Sequence, residues 1–277
     1  MGTGIVSIAL AADGQQTLSR MLFALAALVW LSQLAGIAQH ELRLGEAATL
    51  AVVAGTAVLG SRAALLGWTH VGAAALALAL LATLVLLPAA LVRLRSDVDG
   101  TAFLLVVAPE SLAVLAALLR PAWLADAALV PLGLGLVLYA LVLSRFRLAE
   151  LRDAQGDHWI AGGALAIATL ACAQELDAGV TLGGAMRIAA LALWIAVLAW
   201  LGALAALEAV EPRLTYDARR WATVFPVGMI AACSFAAGRA TGERALTSFA
   251  RVWVWVALAV WLAVGISSSL WALRRSS

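Results

Sequence analysis

Residues 71–87 read Val-Gly-Ala-Ala-Ala-Leu-Ala-Leu-Ala-Leu-Leu-Ala-Thr-Leu-Val-Leu-Leu, a run with one hydroxyl and no charge. Wound as an α-helix it is apolar on every face and about 26 Å long, close to the thickness of a bilayer's hydrocarbon core. A strand of a transmembrane β-barrel would alternate apolar and polar residues, which this run does not do. Working outward, the same character fills the chain: 64% of the 277 residues are hydrophobic, 12% are charged, and the mean hydropathy is +1.00. Soluble domains are about 45–50% apolar and about 25% charged. A water-soluble globular enzyme is therefore excluded. At about 20 residues per span the chain holds roughly nine to eleven spans and no soluble domain. The fold class expected is an all-α integral membrane protein, with residues 1–277 as one transmembrane domain.

Several absences narrow the chemistry. All 18 basic residues are arginines, and without lysine there is neither a Schiff base nor a Walker A phosphate loop. Cys172 and Cys233 sit in apolar stretches without CxxC spacing and read as packing residues, not as a disulfide or a zinc site. His40, His70 and His158 lie far apart at segment edges, and no HExxH, GxSxG or carboxylate cluster accompanies them. No metal, cofactor or hydrolytic site is expected. A net charge of +2 leaves no footprint for nucleic acid, because the arginines mark segment ends and do not form a patch. Met1 opens directly on an apolar run with no basic n-region, which fits a first helix lacking its opening turns better than a secretory signal.

Cutting the chain where charges, Gly and Pro cluster yields ten apolar segments: Met1 to Ala11, Met21 to Ala38, Ala47 to Gly60, Ala64 to Val92, Thr101 to Leu119, Ala122 to Leu143, Trp159 to Gln174, Met186 to Leu207, Trp221 to Gly238 and Val252 to Leu270. The first and third are short for a span and need flanking residues or a place inside a bundle. With a cytoplasmic N-terminus, eleven arginines, Arg43, Arg213 and Arg275 among them, fall on cytoplasmic links. Seven, including Arg62 and Arg239, fall on the opposite side. This bias predicts both termini in the cytoplasm. Trp68, Trp123, Trp159, Trp221 and Trp271 fall near segment ends, as an interfacial belt requires.

Odd and even segments differ. Each odd segment carries helix-weakening residues well inside it: Gly2 and Gly4, then Gly55, Pro109, the pair Gly162 and Gly163, and Pro226 with Gly228. Neighbouring helices or a water-filled cavity must satisfy backbone groups freed at such positions, so the odd helices are expected inside. Close packing through small residues explains the same pattern equally well. Pro131, Gly133 and Gly135 in the sixth segment are exceptions to it. Glu110, midway along the fifth segment, is the deepest charge in the sequence, next to Pro109 and Ser111. Intramembrane ionisable groups are functional candidates, and the alternative is a protonated acid hydrogen-bonded to a neighbouring helix. No arginine lies at that depth. Anions would then meet backbone N–H groups and hydroxyls such as Thr3, Ser7, Thr56, Ser111 and Thr169, which suits weak binding and fast passage, although each hydroxyl can instead back-bond to its own helix. Phe225, beside Pro226, can close a narrow pore by volume and dewetting, or can be an ordinary core residue.

Five stretches together resemble the tellurite-resistance/dicarboxylate transporter family, which includes the bacterial TehA proteins and the plant slow anion channels. They are Met-Gly-Thr-Gly-Ile-Val-Ser (1–7), Val-Ala-Gly-Thr-Ala-Val-Leu-Gly (53–60), Leu-Val-Val-Ala-Pro-Glu-Ser (105–111), Trp-Ile-Ala-Gly-Gly-Ala-Leu-Ala-Ile (159–167) and Trp-Ala-Thr-Val-Phe-Pro-Val-Gly-Met (221–229). All five fall on odd segments. The resemblance implies ten helices in five hairpins with a quasi-five-fold arrangement, odd helices lining a pore, Phe225 as its plug, and a homotrimer in the inner (plasma) membrane. It also implies that the substrates are small anions such as chloride, nitrate, sulfite or tellurite-like oxyanions. A proton-coupled carrier of C4-dicarboxylates using Glu110 is the second reading, and a membrane-embedded enzyme, for which no motif is visible, the third.

Overall fold

The computed structural model describes residues 1–39, 45–153, 156–212 and 216–276; His40, Arg43 and Arg213 lie outside them. Among the described residues the chain is helical, apart from an isolated bridge between Val98 and Phe146. The helices longer than one turn are α1 (Gly2–Ala12), α2 (Gln16–Gln39), α3 (Ala51–Leu65), α4 (Thr69–Val92), α5 (Leu104–Leu119), α6 (Ala122–Arg145), α7 (Ile160–Asp177), α8 (Gly183–Val210), α9 (Trp221–Thr241) and α10 (Arg244–Ser276). Among the described residues, nine are long and apolar enough to cross a membrane. The exception, α1, has 11 residues, about 16 Å, and is too short for that.

Each helix takes in most of one of the ten apolar segments, but several helices run past the charges that bound them. Helices α2 and α10 begin at Gln16 and Arg244, a turn or more ahead of their apolar segments, and absorb Arg20 and Arg251. A 3₁₀ turn at Ala47–Leu50 leads into α3, which continues through Gly60, Ser61 and Arg62 to Leu65. The third segment thereby becomes a 19-residue span.

The chain repeats one unit. An odd helix ends on a left-handed residue, turns tightly, and returns as the longer even helix. The left-handed residues are Gly14, Gly67, Arg120, Gly179 and Gly242. Four are glycines, which adopt positive φ without a Cβ clash; at Arg120 the turn is completed by Pro121, which opens α6. On the return, α3, α5, α7 and α9 are each entered through a 3₁₀ turn. Asp99 and Asp217 cap two of these turns by accepting from the backbone N–H of Thr101 and Arg219.

Packing sorts the units into two shells. In α5, α7 and α9, 89% of the apolar window is buried, and in α3 61%, against 17–33% in the even helices. Each odd helix packs on its even partner as a hairpin, and the odd helices touch in a closed circuit: α1 on α3, α3 on α5, α5 on α7, α7 on α9, and α9 back on α1. Each even helix also rests on the next odd one. The even helices expose Leu28, Leu84, Val130, Ile195 and Val252, apolar surface that only lipid or another apolar partner covers without cost. Tryptophans tie the shells together. Indole N–H groups donate from Trp30 to Thr56 Oγ1 (3.0 Å), from Trp194 to Ser234 Oγ (2.8 Å), from Trp253 to the Val227 carbonyl (3.1 Å) and from Trp261 to Thr3 Oγ1 (3.0 Å). A buried tryptophan N–H needs such a partner, and these four lie well inside their helices, apart from the segment-end tryptophans expected to form a belt.

Candidate functional site

Phe225 lies in the second turn of α9 and is 1% exposed. Its surroundings are shaped by glycines on both neighbouring inner helices. A Cβ on Gly163 of α7 would fall 2.9 Å from Pro226 Cγ and 3.0 Å from Phe225 Cε1. One on Gly2 of α1 would fall 3.1 Å from Val224 Cγ1. Gly228 faces Ile5 of α1 at 2.8 Å, and Gly4 faces Val58 of α3 at 2.7 Å. These four glycines are where inner helices meet without side chains between them, the geometry expected of small residues in membrane bundles. Gly55 and Gly162 instead face outer helices, at Trp30 and Trp200. The helices run unbroken through all of these positions, and through Pro109 and Pro226 as well.

The hydroxyls named from the sequence are engaged. Thr56, Ser111 and Thr169 donate to the carbonyls of Val52 (2.8 Å), Ala108 (2.7 Å) and Leu165 (2.8 Å). Ser7 donates to the Ser19 carbonyl while Ser19 donates to that of Ser7, both at 2.6 Å, locking α1 to α2. Thr3 accepts from Trp261. Back-bonding and helix clamping thus account for most of the hydroxyl set.

Glu110 is fully buried, and neither carboxylate oxygen has a hydrogen-bond partner among the described residues. Its side chain lies against Gly135 of α6: a Cβ there would collide with Glu110 Cγ and come within 2.9 Å of Oε1. Glu110 therefore occupies the α5–α6 hairpin interface, and the absence of a side chain at Gly135 makes room for it. One exception to the odd–even glycine pattern is explained by this contact. Glu110 is also not alone. Glu175, near the C-terminal end of α7, is buried, and neither of its oxygens has a hydrogen-bond partner among the described residues.

A cavity of about 290 Å³ lies at one end of the inner shell. It is lined by Ile8 and Ala11 of α1, Ser61 and Arg62 of α3, Val114 and Leu118 of α5, Leu170 and Gln174 of α7, and Ala232, Ala236 and Arg239 of α9. Because all five inner helices contribute from their C-terminal halves, they run in the same direction and the cavity occupies their shared C-terminal end. Its deepest α9 residue, Ala232, is seven positions beyond Phe225, about 10 Å of helix rise. Arg62 is 1% exposed. Its Nε donates to Ser19 Oγ at 3.0 Å and its Nη2 to Gln16 Oε1 at 3.4 Å. No ion pair among the described residues includes it, or Arg239, which stands exposed at the rim. No group of His, Cys, Asp or Glu among the described residues is arranged to hold a metal.

The profile of the SLAC1 family, described as voltage-dependent anion channel, matches residues 1–268, four hairpins and most of the fifth. The chain belongs to the SLAC1 family. Neither a curated protein nor a solved structure matches it. As a SLAC1-family member it is a multi-pass membrane protein of an anion-transport family and not an enzyme.

In this SLAC1-family chain one group escaped the sequence. In the sequence pattern a charge ends an apolar span, which places Arg62 in a link beyond the third segment. It is instead buried inside the last turn of α3. The signal was present in the spacing: Arg62 follows Gly55 by seven residues, two helical turns on the same face, and both positions face α2, at Trp30 and at Ser19.

Proposed function

We propose that this protein is a passive pore for small anions such as chloride, nitrate, sulfite or tellurite-like oxyanions, which move along the axis of the five inner helices and are held back by Phe225. The observation that carries the reading is the buried ring of Phe225 against Gly163, about 10 Å along α9 from a cavity that all five inner helices line. In a pore just wide enough for an ion, an aromatic ring excludes water and ion together. Gly2, Thr3, Gly4, Gly55, Thr56, Pro109, Ser111, Gly162, Gly163, Pro226 and Gly228 then belong to the pore wall or to the contacts that set its width. The driving force is the membrane potential, about 2.3 kcal/mol per charge per 100 mV. Glu110 supports the passive reading over a proton-coupled dicarboxylate carrier, because it faces Gly135 on an outer helix and does not line the cavity. A homotrimer with one pore per subunit, in the inner membrane with both termini cytoplasmic, completes the proposal; the cavity then opens away from the cytoplasm.

The test is a reversal-potential measurement on the full chain in liposomes, across anions and at symmetric and asymmetric pH. Reversal should follow the anion gradient and ignore the proton gradient. Phe225→Ala should raise conductance several-fold at an unchanged reversal potential. An unchanged conductance in well-folded Phe225→Ala protein would remove the ring from the mechanism, and a reversal potential that tracks pH would favour the carrier.

A further inference from the structure

Arg62 is a guanidinium enclosed by protein whose hydrogen-bonding partners are the neutral Ser19 and Gln16. Arg20 is a like charge in the same region and offers it no compensation. Asp177 pairs with Arg120 at 2.9 Å and its charge also acts on Arg239 at the rim, but it forms no ion pair with Arg62. A buried cation without a counter-charge is costly, and proteins keep one where a ligand supplies the missing charge. The C-terminal dipole of α3 favours a cation in its last turn, but it amounts to about half a charge and leaves the guanidinium's own donors unanswered. Two of those donors are used, Nε on Ser19 and one N–H of Nη2 on Gln16. The Nη1 group and the remaining Nη2 hydrogen have no protein acceptor among the described residues. They form the end of the guanidinium fork, which matches two oxygens of a planar anion. Arg62 and Arg239 line the same cavity, one at its wall and one at its rim.

We propose that Arg62, with Arg239, forms an anion-capture site in this cavity: Arg239 attracts a small anion at the mouth, and Arg62 holds it before it reaches Phe225. The fork selects planar oxyanions of the nitrate or carboxylate type over spherical halides. The site rests on the reading of the protein as an anion pore, but binding and flux are measured separately, so one can fail without the other.

The experiment uses the full chain in detergent for binding and in liposomes for flux, with sodium nitrate, sodium chloride and sodium gluconate as probes. Nitrate should raise the melting temperature of the wild type more than chloride or the bulky gluconate at equal ionic strength. In Arg62→Gln that shift should vanish, and half-saturation of nitrate flux should move up about tenfold, the size expected for loss of a charge-assisted pair. Arg239→Gln should slow flux at low salt with a smaller change in half-saturation, as expected of a rim charge. Arg62→Lys keeps the charge and loses the fork, so half-saturation of nitrate flux should rise to that of chloride and the preference for nitrate over chloride should be lost. It carries the test if Arg62→Gln does not fold. A nitrate-dependent shift that survives both substitutions, with half-saturation unchanged, overturns the site and leaves the pore reading intact. A shift that is lost in Arg62→Gln while the wild type conducts no anion overturns the pore reading and leaves the site.

Discussion

Glu110 and Arg62 are both buried, and among the described residues neither has an ion pair, yet only one of them borders the cavity. Glu110 points outward into its own hairpin at Gly135 and Arg62 lines the central cavity, so only Arg62 is placed to meet an anion that enters there. Two results follow for Glu110. Glu110→Gln keeps the shape of the side chain, so voltage-driven anion current at symmetric pH should stay within about twofold of wild type. Loss of current in folded protein would put Glu110 back in the transport path. Gly135→Ala should destabilise by about 1–3 kcal/mol, because the methyl group collides with Glu110. Pairing it with Glu110→Ala should recover part of that loss in a double-mutant cycle read by thermal unfolding in detergent. The prominence of Glu110 was legible in the sequence, since a lone acid midway along an apolar run stands out. Its direction was not, because that depends on which helix lies alongside and where that helix has no side chain. The burial of Arg62 was hidden for the converse reason: a charge reads as the end of a span unless the tertiary neighbours that enclose it are known.

Among the elements, the repeated unit of inner helix, left-handed turn and outer helix gives a pair of predictions of opposite sign. Gly242 holds φ 77° between α9 and α10, and no heavy atom crowds the place its Cβ would take. Gly242→Ala should therefore cost about 1–2 kcal/mol from backbone conformation alone. Arg120 holds φ 69° at the equivalent turn between α5 and α6 despite having a side chain. Arg120→Gly should stabilise by up to about 1 kcal/mol. Its ion pair with Asp177 is between exposed side chains and contributes little against that gain. Melting in detergent measures both, and a stabilised Gly242→Ala or a destabilised Arg120→Gly would contradict the turn analysis. The five hairpins were legible from segment lengths and from the glycines that punctuate them. The tryptophan bonds from outer to inner helices were not: Trp30, Trp194, Trp253 and Trp261 are ordinary apolar residues in the pattern, and only their partners Thr56, Ser234, Val227 and Thr3 identify them as clamps.

The whole molecule is asymmetric along the inner-helix direction. One end of the inner shell opens into the cavity, while at the other end α3, α5, α7 and α9 are entered through 3₁₀ turns. If anions travel through this shell, a group attached inside the cavity must change the current, and it must be reachable from one side only. Ala236 lines the cavity at the level between Arg239 and Ala232. The native cysteines Cys172 and Cys233 are free but buried, which gives a low background for thiol chemistry. In Ala236→Cys protein inserted in one orientation, a membrane-impermeant anionic thiol reagent should modify the new cysteine from the side opposite the N-terminus and reduce nitrate current at least severalfold. A cationic reagent of similar size should reduce it less, since it adds positive charge beside Arg239 while occupying the same volume. Modification from the side of the N-terminus would reverse the proposed direction of the cavity. Complete modification with an unchanged current would show that the path of the anion lies elsewhere, because a ring of five helices packed on one another at Gly2, Gly4, Gly163 and Gly228 leaves no second route through its centre.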